Sequence, residues 1–131
     1  MVAYSFRPRF AEPILAGTKD QTIRAPRAGR GHVRKGEALQ LYTGMRTRQC
    51  RLILRTTCLA VLPVQLFWRP AIAFVVDGAP VPLDDLDGFA RRDGFADADD
   101  MAAFWRAEHP ALDVFEGTLI RWQPPTQEPP R

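Results

Sequence analysis

A lysine, a threonine and an arginine follow a glycine at short intervals in the segment Ile14-Leu15-Ala16-Gly17-Thr18-Lys19-Asp20-Gln21-Thr22-Ile23-Arg24. A lysine held neutral can take the proton of a hydroxyl group, and the resulting alkoxide can attack an acyl carbon. The alternative is a solvated basic turn, because lysine and threonine are common in turns and at surfaces. The segment therefore has the composition either of a nucleophilic site or of an anion-binding turn.

The local pattern predicts how these side chains are positioned. Leu15-Ala16-Gly17 is typical of a helix end with glycine at the C′ position, so we expect Lys19 in a turn and a strand directly after it. Successive side chains of a strand point to opposite faces. Thr22 and Arg24 are therefore expected on one face, with Ile23 in the core and Lys19 within reach of the Thr22 hydroxyl.

Length and composition predict one domain. The chain has 131 residues, of which 46% are hydrophobic, so it can bury a substantial core. Its longest apolar region, residues 59–76, is interrupted by polar residues and prolines, which predicts two buried strands with a turn at Arg69-Pro70. No membrane-spanning run and no signal peptide are recognisable, so we expect a cytoplasmic protein without a membrane partner. The sequence leaves the oligomeric state open.

Several classes of site are excluded by the inventory of reactive residues. Cys50 and Cys58 lie too far apart on one extended run to form a disulfide, and both are expected to be inert. His32 and His109 stand alone, without the spacing that zinc requires. Ser5 is the only serine and has no nucleophile-elbow context, and no dinucleotide or P-loop motif occurs. We therefore predict no metal and no cofactor.

Charge is distributed unevenly along the chain. Residues 1–58 contain twelve lysines or arginines and three acidic residues, a net charge of +9, whereas the remainder carries −6. A basic region beside a candidate site favours an anionic partner, with nucleic acid or a nucleotide first. The alternative is that the two halves neutralise each other across the fold. The candidate nucleic-acid contacts are Arg27, Arg30, Arg34 and Arg48.

The predicted elements alternate in the manner of an α+β fold. Many short strands without a βαβ rhythm argue for a small β-barrel. Met101, Phe104 and Trp105 lie at helical spacing and are interpreted as core. The elements expected are strands at 2–6, 39–42 and 50–62, a hairpin at Asp77-Gly78, helices at 9–16, 83–92 and 101–109, and a last strand at 115–122.

Four segments together resemble the ASCH domain, a PUA-like β-barrel family associated with RNA. They are residues 14–24, 36–46, 89–95 and 115–122, and they cover nearly the whole chain in the expected order. The resemblance implies a small PUA-like barrel with flanking helices over residues 1–122. Residues 123–131, which contain four prolines, are expected to be a disordered tail.

The resemblance also implies an activity. Some ASCH proteins are similar to hydrolases that remove the acyl group from N4-acetylcytidine with a lysine, a threonine and a carboxylate. Lys19 and Thr22 match that motif, and Asp93 stands where a glutamate is expected, one methylene shorter. Lys19 would be the base, Thr22 the nucleophile or a water-polarising hydroxyl, and Asp93 would orient Lys19 or relay a proton to the leaving amine. The pKa of Lys19 must then fall from about 10.4 toward about 7 to 8.

Further residues are candidates for substrate contacts. Arg24 would act as an oxyanion partner or hold a phosphate or sugar oxygen. Phe6 or Tyr42 would stack on the base, and Arg46 would contact an anionic group. Other ASCH proteins resemble non-catalytic RNA-binding modules or ribonucleases, so the predicted partner is a modified nucleoside or RNA.

Overall fold

The computed structural model describes residues 2–27 and 31–125. Within them the chain forms a mixed α+β fold with one seven-stranded sheet and three short helices. The strands are β1 Val2–Phe6, β2 Gln21–Arg24, β3 Ala38–Thr43, β4 Arg51–Phe67, β5 Ala73–Val76, β6 Ala79–Pro80 and β7 Val114–Trp122. The helices are α1 Ala11–Ala16, α2 Leu86–Arg92 and α3 Ala98–Glu108, with 3₁₀ turns at Pro8–Phe10 and Leu83–Asp85.

The sheet is organised around β4, which is 17 residues long. Its first part pairs antiparallel with β3, which pairs in parallel with β1. Its second part pairs antiparallel with β7 and, from Val64 onward, also with β5. β7 in turn pairs with β2. The α+β class is thus confirmed, and the sheet of the described residues is open, with β1, β2 and β6 as its edge strands.

The predicted turn before the second strand is confirmed. Gly17 ends α1 in the left-handed region at φ +82°, a conformation that glycine adopts without a steric cost. Ile23 is buried in the core. Thr22 and Arg24 share a face of β2, and Arg24 Nε accordingly donates a hydrogen bond to Thr22 Oγ1 at 3.3 Å.

The strand predicted to end at residue 62 is longer than expected. β4 continues through Pro63 to Phe67, and the predicted turn at Arg69-Pro70 follows it. Pro63 has no N–H group, and its carbonyl oxygen accepts a hydrogen bond from Asp77 N on the side of β4 that faces β5. The pairing of β4 with β5 begins only at the next residue, Val64. Proline is tolerated where a strand edge lacks a partner, and for this reason the strand is not interrupted.

The two longer helices form one side of the core. Asp97 begins α3 by accepting a hydrogen bond from Asp100 N, so this helix starts three residues before the predicted Met101. Met101 and Trp105 are buried, as expected. None of the helices in residues 2–27 and 31–125 has the length and apolar character needed to cross a membrane. Of the expected tail, Gln123 N donates to Thr57 O, and residues 126–131 lie outside the described residues.

Candidate functional site

A pocket of about 290 Å³ lies between the end of β1, the turn before β2, the end of α2 and the face of α3. Lys19, Thr22 and Asp93, the three predicted catalytic residues, all line it. They are 2%, 6% and 3% exposed, respectively, although their side chains are polar. Its aromatic wall is formed by Phe6, Phe10, Phe95, Phe104, Trp105 and Phe115.

The Lys19 side chain is held by two main-chain carbonyl groups. Its Nζ donates hydrogen bonds to Gln21 O at 2.7 Å and to Asp93 O at 2.6 Å. It also lies 4.8 Å from the centre of the Phe10 ring. A neutral amine has two N–H groups and one lone pair, so these two bonds use both hydrogens and leave the lone pair available for a proton.

A glycine makes room for this lysine. Gly94 has φ +96°, and a Cβ at this position would lie 2.7 Å from both Lys19 Cδ and Phe10 Cδ1. Any larger residue would therefore displace the lysine stem or the ring, in addition to the backbone strain. Gly94 was not predicted as a site residue, because its role depends on a contact between distant parts of the chain.

Asp93 is brought to Lys19 by a clamp between the end of α2 and the turn before β2. Arg92 Nε and Nη2 donate to the two carboxylate oxygens of Asp20, each at 3.0 Å. Asp20 N donates in return to Arg92 O at 3.0 Å. Asp93 is the next residue and caps the end of α2, so the clamp sets its position beside the lysine.

The two buried ionisable groups are shifted toward their neutral forms. Burial lowers the pKa of Lys19 to about 8, Asp93 opposes this shift and Arg24 adds to it. Burial raises the pKa of Asp93 to about 6, against the opposing effect of Lys19. In the described part of the chain no ion pair joins Lys19 Nζ to the Asp93 carboxylate, since Nζ contacts the Asp93 main-chain oxygen instead.

Gln21 supports Asp93 from the other side. Arg121 Nε donates to Gln21 Oε1 at 3.2 Å, which assigns the amide nitrogen to the side of Asp93. The Gln21 side chain lowers the pKa of Asp93, but neither Gln21 Nε2 nor Asp93 Oδ1 has a partner with hydrogen-bond geometry among the described residues. The contact between them is therefore loose, and the carboxyl group keeps its raised pKa.

Thr22 lies against the guanidinium of Arg24. Besides its bond to Thr22 Oγ1, Arg24 donates from Nη2 to Ser5 O at 2.7 Å and packs 4.7 Å from the centre of the Phe6 ring. Burial lowers the pKa of Arg24. The Lys19 amine binds the carbonyl of the peptide bond that precedes Thr22. The hydroxyl thus accepts a hydrogen bond from a cation, which can stabilise negative charge on its oxygen, and it lines the same pocket as Lys19.

Of the four other predicted substrate contacts, two line the pocket and two do not. Phe6 and Arg24 line the pocket. Tyr42 lies in β3, where its hydroxyl donates to Gln40 Oε1 at 2.8 Å. Arg46 is exposed in the connection between β3 and β4, with φ +67°. Neither Tyr42 nor Arg46 is part of the pocket lining.

Three of the predicted nucleic-acid contacts, Arg27, Arg34 and Arg48, lie outside the pocket lining. Arg27 packs over the Tyr4 ring, 4.4 Å from its centre. Arg34 and Arg48 are exposed. Arg30 lies outside the described residues. Arg27, Arg34 and Arg48 therefore do not share the pocket with the three catalytic candidates.

Residues of α3 line the pocket although the sequence pattern indicated only a core helix. The Trp105 and His109 rings stack 5.6 Å apart at an interplanar angle of 12°, and Phe115 lies 4.5 Å from Trp105. Arg7 and Glu108, which also line the pocket, form an ion pair. The helical spacing of the aromatic residues was a signal for one apolar face, and that face serves both the core and the pocket.

Neither a metal site among the described residues nor a known relative indicates the chemistry of the pocket. Within residues 2–27 and 31–125, no group of three His, Cys, Asp or Glu side chains is placed to hold a metal ion. No protein-family model, curated protein or solved structure matches this chain. The pocket geometry and the motif around Lys19 are the grounds for a functional assignment.

Proposed function

We propose that this protein is an amidohydrolase that removes the acyl group from an N4-acylated cytidine or cytosine, with Lys19, Thr22 and Asp93 as its catalytic residues. The observation that carries the proposal is the buried Lys19 amine, whose bonds to Gln21 O and Asp93 O leave its lone pair available. Amide hydrolysis needs a base at the nucleophile and an acid at the leaving nitrogen. Lys19 and Asp93 supply these two groups.

The first step forms a bond between Thr22 and the substrate. Neutral Lys19 accepts the proton of the Thr22 hydroxyl, and Oγ1 attacks the acyl carbon of the amide. Arg24, which donates to Oγ1 at 3.3 Å, stabilises the negative charge that develops beside it. The product of this step is a tetrahedral intermediate on Thr22, with the proton on Lys19.

The second and third steps release the products. The carbon–nitrogen bond breaks while the protonated Asp93 carboxyl group donates its proton to the exocyclic nitrogen, which leaves cytidine and an acyl ester on Thr22. Water then attacks the ester and gives a proton to the Asp93 carboxylate. Lys19 returns its proton to Thr22 Oγ1 as the carboxylic acid departs, so both residues regain their starting states.

The pKa shifts of the two groups favour this assignment of roles. The pKa of Lys19 is lowered and that of Asp93 is raised, which are the directions required for a base and an acid near neutral pH. A substrate that fills the pocket displaces water and shifts both groups further toward their neutral forms. In the free protein at neutral pH, the form with neutral Lys19 and protonated Asp93 is a minor population, and this is the form that catalysis uses.

The proposal includes membership of the ASCH family and a PUA-like barrel. In such a barrel the edge strands β1 and β2 approach each other, and here Arg24 of β2 donates to Ser5 O of β1 at 2.7 Å. A side chain bridges the gap between the two edges. The aromatic wall supplies flat surfaces suited to a nucleobase, and a pocket of about 290 Å³ suits a small ligand.

Hydrolysis of N4-acetylcytidine is the direct test. We expect the wild-type protein to convert it to cytidine, and chromatography measures the amount of cytidine formed. Thr22→Val keeps the side-chain shape, lacks the hydroxyl, and should reduce turnover by about a hundredfold or more. Thr18→Val, in the turn before β2 and exposed, is the matched control and should leave turnover unchanged. A wild-type protein without turnover would refute the proposal, and equal rates for the Thr22 variant and the parent would remove Thr22 from it.

A second candidate function is binding of RNA. It is favoured by six exposed cations in residues 31–58, none of which forms an ion pair in the described part of the chain. They are Arg34, Lys35, Arg46, Arg48, Arg51 and Arg55, which we call the basic surface. Binding through several phosphate contacts would weaken steeply as salt rises. The slope of RNA affinity against salt, measured with a single-stranded oligonucleotide, tests this function.

A further inference from the structure

Arg24 is the one charge of the described pocket lining that has no opposite charge assigned to it. The lining contains five charged side chains, namely Arg7, Lys19, Arg24, Asp93 and Glu108. Arg7 pairs with Glu108, and Lys19 and Asp93 together add no net charge, whether both are ionised or both are neutral. One positive charge therefore remains in the pocket, on Arg24.

The guanidinium of Arg24 also has donors to spare. It carries five N–H groups, of which one binds Thr22 Oγ1 and one binds Ser5 O. The other N–H groups, including both on Nη1, have no acceptor among the described residues. A cation held in a partly buried position with free donors is suited to an anionic oxygen group.

The surroundings of Arg24 strengthen its preference for an anion. Burial lowers the pKa of Arg24 and the nearby positive charge of Arg27 adds to this effect, whereas Tyr4 and Asp93 oppose it. The Arg24 guanidinium packs on two rings, with its carbon 4.7 Å from the Phe6 centre and 5.3 Å from the Tyr4 centre. These rings hold the side chain in place without neutralising it, so a ligand can supply the missing charge.

We propose that the Arg24 end of the pocket binds an anionic oxygen group, a phosphate or a carboxylate, carried by the substrate. The substrate would then be an anionic derivative, either a nucleotide or a nucleoside whose acyl group ends in a carboxylate. The part of this inference that concerns the substrate rests on the amidohydrolase function. Anion binding itself does not, and it can be measured without turnover.

Titration with inorganic phosphate and with acetate at constant ionic strength tests the site directly. We expect saturable changes of the Arg24 Nε–Hε resonance in the wild-type NMR spectrum. Arg24→Gln should abolish binding of both anions, measured by calorimetry, and Arg24→Lys, which keeps the charge, should retain it in weakened form. Arg106→Gln, an exposed arginine of α3 outside the pocket lining, should bind like the parent. No saturable change at Arg24 with either anion would overturn the inference.

Comparison of ligands with and without a charge identifies the source of the anion. Cytidine 5′-monophosphate should bind about tenfold or more tightly than cytidine if the group is a phosphate. N4-(3-carboxypropanoyl)cytidine should be hydrolysed about tenfold or more efficiently than N4-acetylcytidine if the group is a carboxylate on the acyl chain. Phosphate bound at Arg24 without hydrolysis of any acylcytidine would refute the amidohydrolase and keep the anion site. Hydrolysis of acylcytidines without preference for either charged ligand would support the amidohydrolase function and refute the anion site.

Discussion

The pocket and the basic surface contain the same kinds of cation in opposite surroundings. Lys19 in the pocket is 2% exposed and has a lowered pKa, whereas the cations of the basic surface are exposed to solvent. Water and salt screen the exposed charges, so each contributes little to stability. Desolvation changes the chemistry of the buried ones.

The difference shows why a count of charges does not locate a site. Of the eleven lysines and arginines that the structure describes in residues 1–58, only Arg7, Lys19 and Arg24 line the pocket. What distinguishes Lys19 is the pair of carbonyl groups around its amine, and what distinguishes Arg24 is its contact with Thr22. Both features are consequences of packing, which the charge pattern does not contain.

The two lysines of the chain, one buried and one exposed, should respond differently to loss of the amine. Lys19→Met removes the amine, keeps the length of the side chain, and should lower hydrolysis of N4-acetylcytidine by about a hundredfold to ten-thousandfold. Lys35→Met, at the only other lysine and on the surface, should retain full activity. Steady-state kinetics of both variants, with circular dichroism to check the fold, gives the answer. Comparable activity of the two variants would show that burial of Lys19 serves structure alone.

The pH profile should report the buried pair. Because activity requires neutral Lys19 and protonated Asp93, kcat/KM should rise with pH up to about 6 and fall above about 8, with a plateau between. Below about pH 6 and above about pH 8, kcat/KM should fall about tenfold for each pH unit. A profile that is flat from pH 5 to 9 would contradict the use of this pair.

Asp93→Asn separates the two limbs. The amide keeps the shape but cannot donate the carboxyl proton, so turnover should fall by about tenfold to a hundredfold and the alkaline limb should disappear. The remaining rise should end at a higher pH than about 6, because it then follows the pKa of Lys19 alone, which loss of the Asp93 charge lowers below about 8. Asp93→Glu should retain activity. An Asn variant as active as the parent would reduce Asp93 to a helix cap.

Two glycines with similar backbone conformations, one beside Lys19 and one on the surface, should differ in their effect on stability. Gly94 and Gly36 both have positive φ, +96° and +88°, but an added Cβ meets Lys19 and Phe10 at Gly94 and nothing within 4 Å at Gly36. Gly36→Ala should therefore cost about 1 kcal/mol in the free energy of unfolding, from backbone strain alone. Gly94→Ala should cost about 2 kcal/mol or more, since the contact adds to the strain. Urea denaturation of the two variants measures the difference, and equal losses would mean that the Lys19 stem moves freely.

The smallest effect is expected on the exposed side of the comparison. Arg46→Gln combined with Arg48→Gln should change the free energy of unfolding by less than about 0.5 kcal/mol, as is usual for surface substitutions. Hydrolysis of the nucleoside should change by less than about twofold, because neither residue lines the pocket. If the basic surface binds RNA, the same variant should reduce the dependence of RNA affinity on salt. A large loss of nucleoside hydrolysis would place these arginines in the site after all.

The parts of the site that were predictable depend on neighbours in sequence. The Gly17 turn and the shared face of Thr22 and Arg24 follow from helix-end and strand patterns over eight residues. Asp93 is separated from Lys19 by 74 positions, and only the resemblance to a family motif indicated it. The clamp between Arg92 and Asp20 that places it there has no local signal.

The parts that were not predictable concern which side of an element faces the pocket. The spacing of the aromatic residues in α3 indicated an apolar face, but spacing does not distinguish a face against the core from one that also lines a cavity. Trp105 and His109 were therefore missed as lining residues. The same limit applies to Tyr42, because alternation in a strand defines two faces and leaves open which one is near the site.

The pairing of β2 with β7 has a consequence for how the protein is made. Gln21 and Thr22 lie opposite Arg121 and Ile120, so the strand that carries the candidate nucleophile completes its ladder only with residues synthesised about a hundred positions later. Contacts of such long range form late in folding, because their loop-closure entropy must be met first. A nascent chain that has not yet emerged to β7 therefore has Lys19 and Thr22 but lacks the strand that pairs with β2, so under the proposed function catalysis should begin only with the last strand.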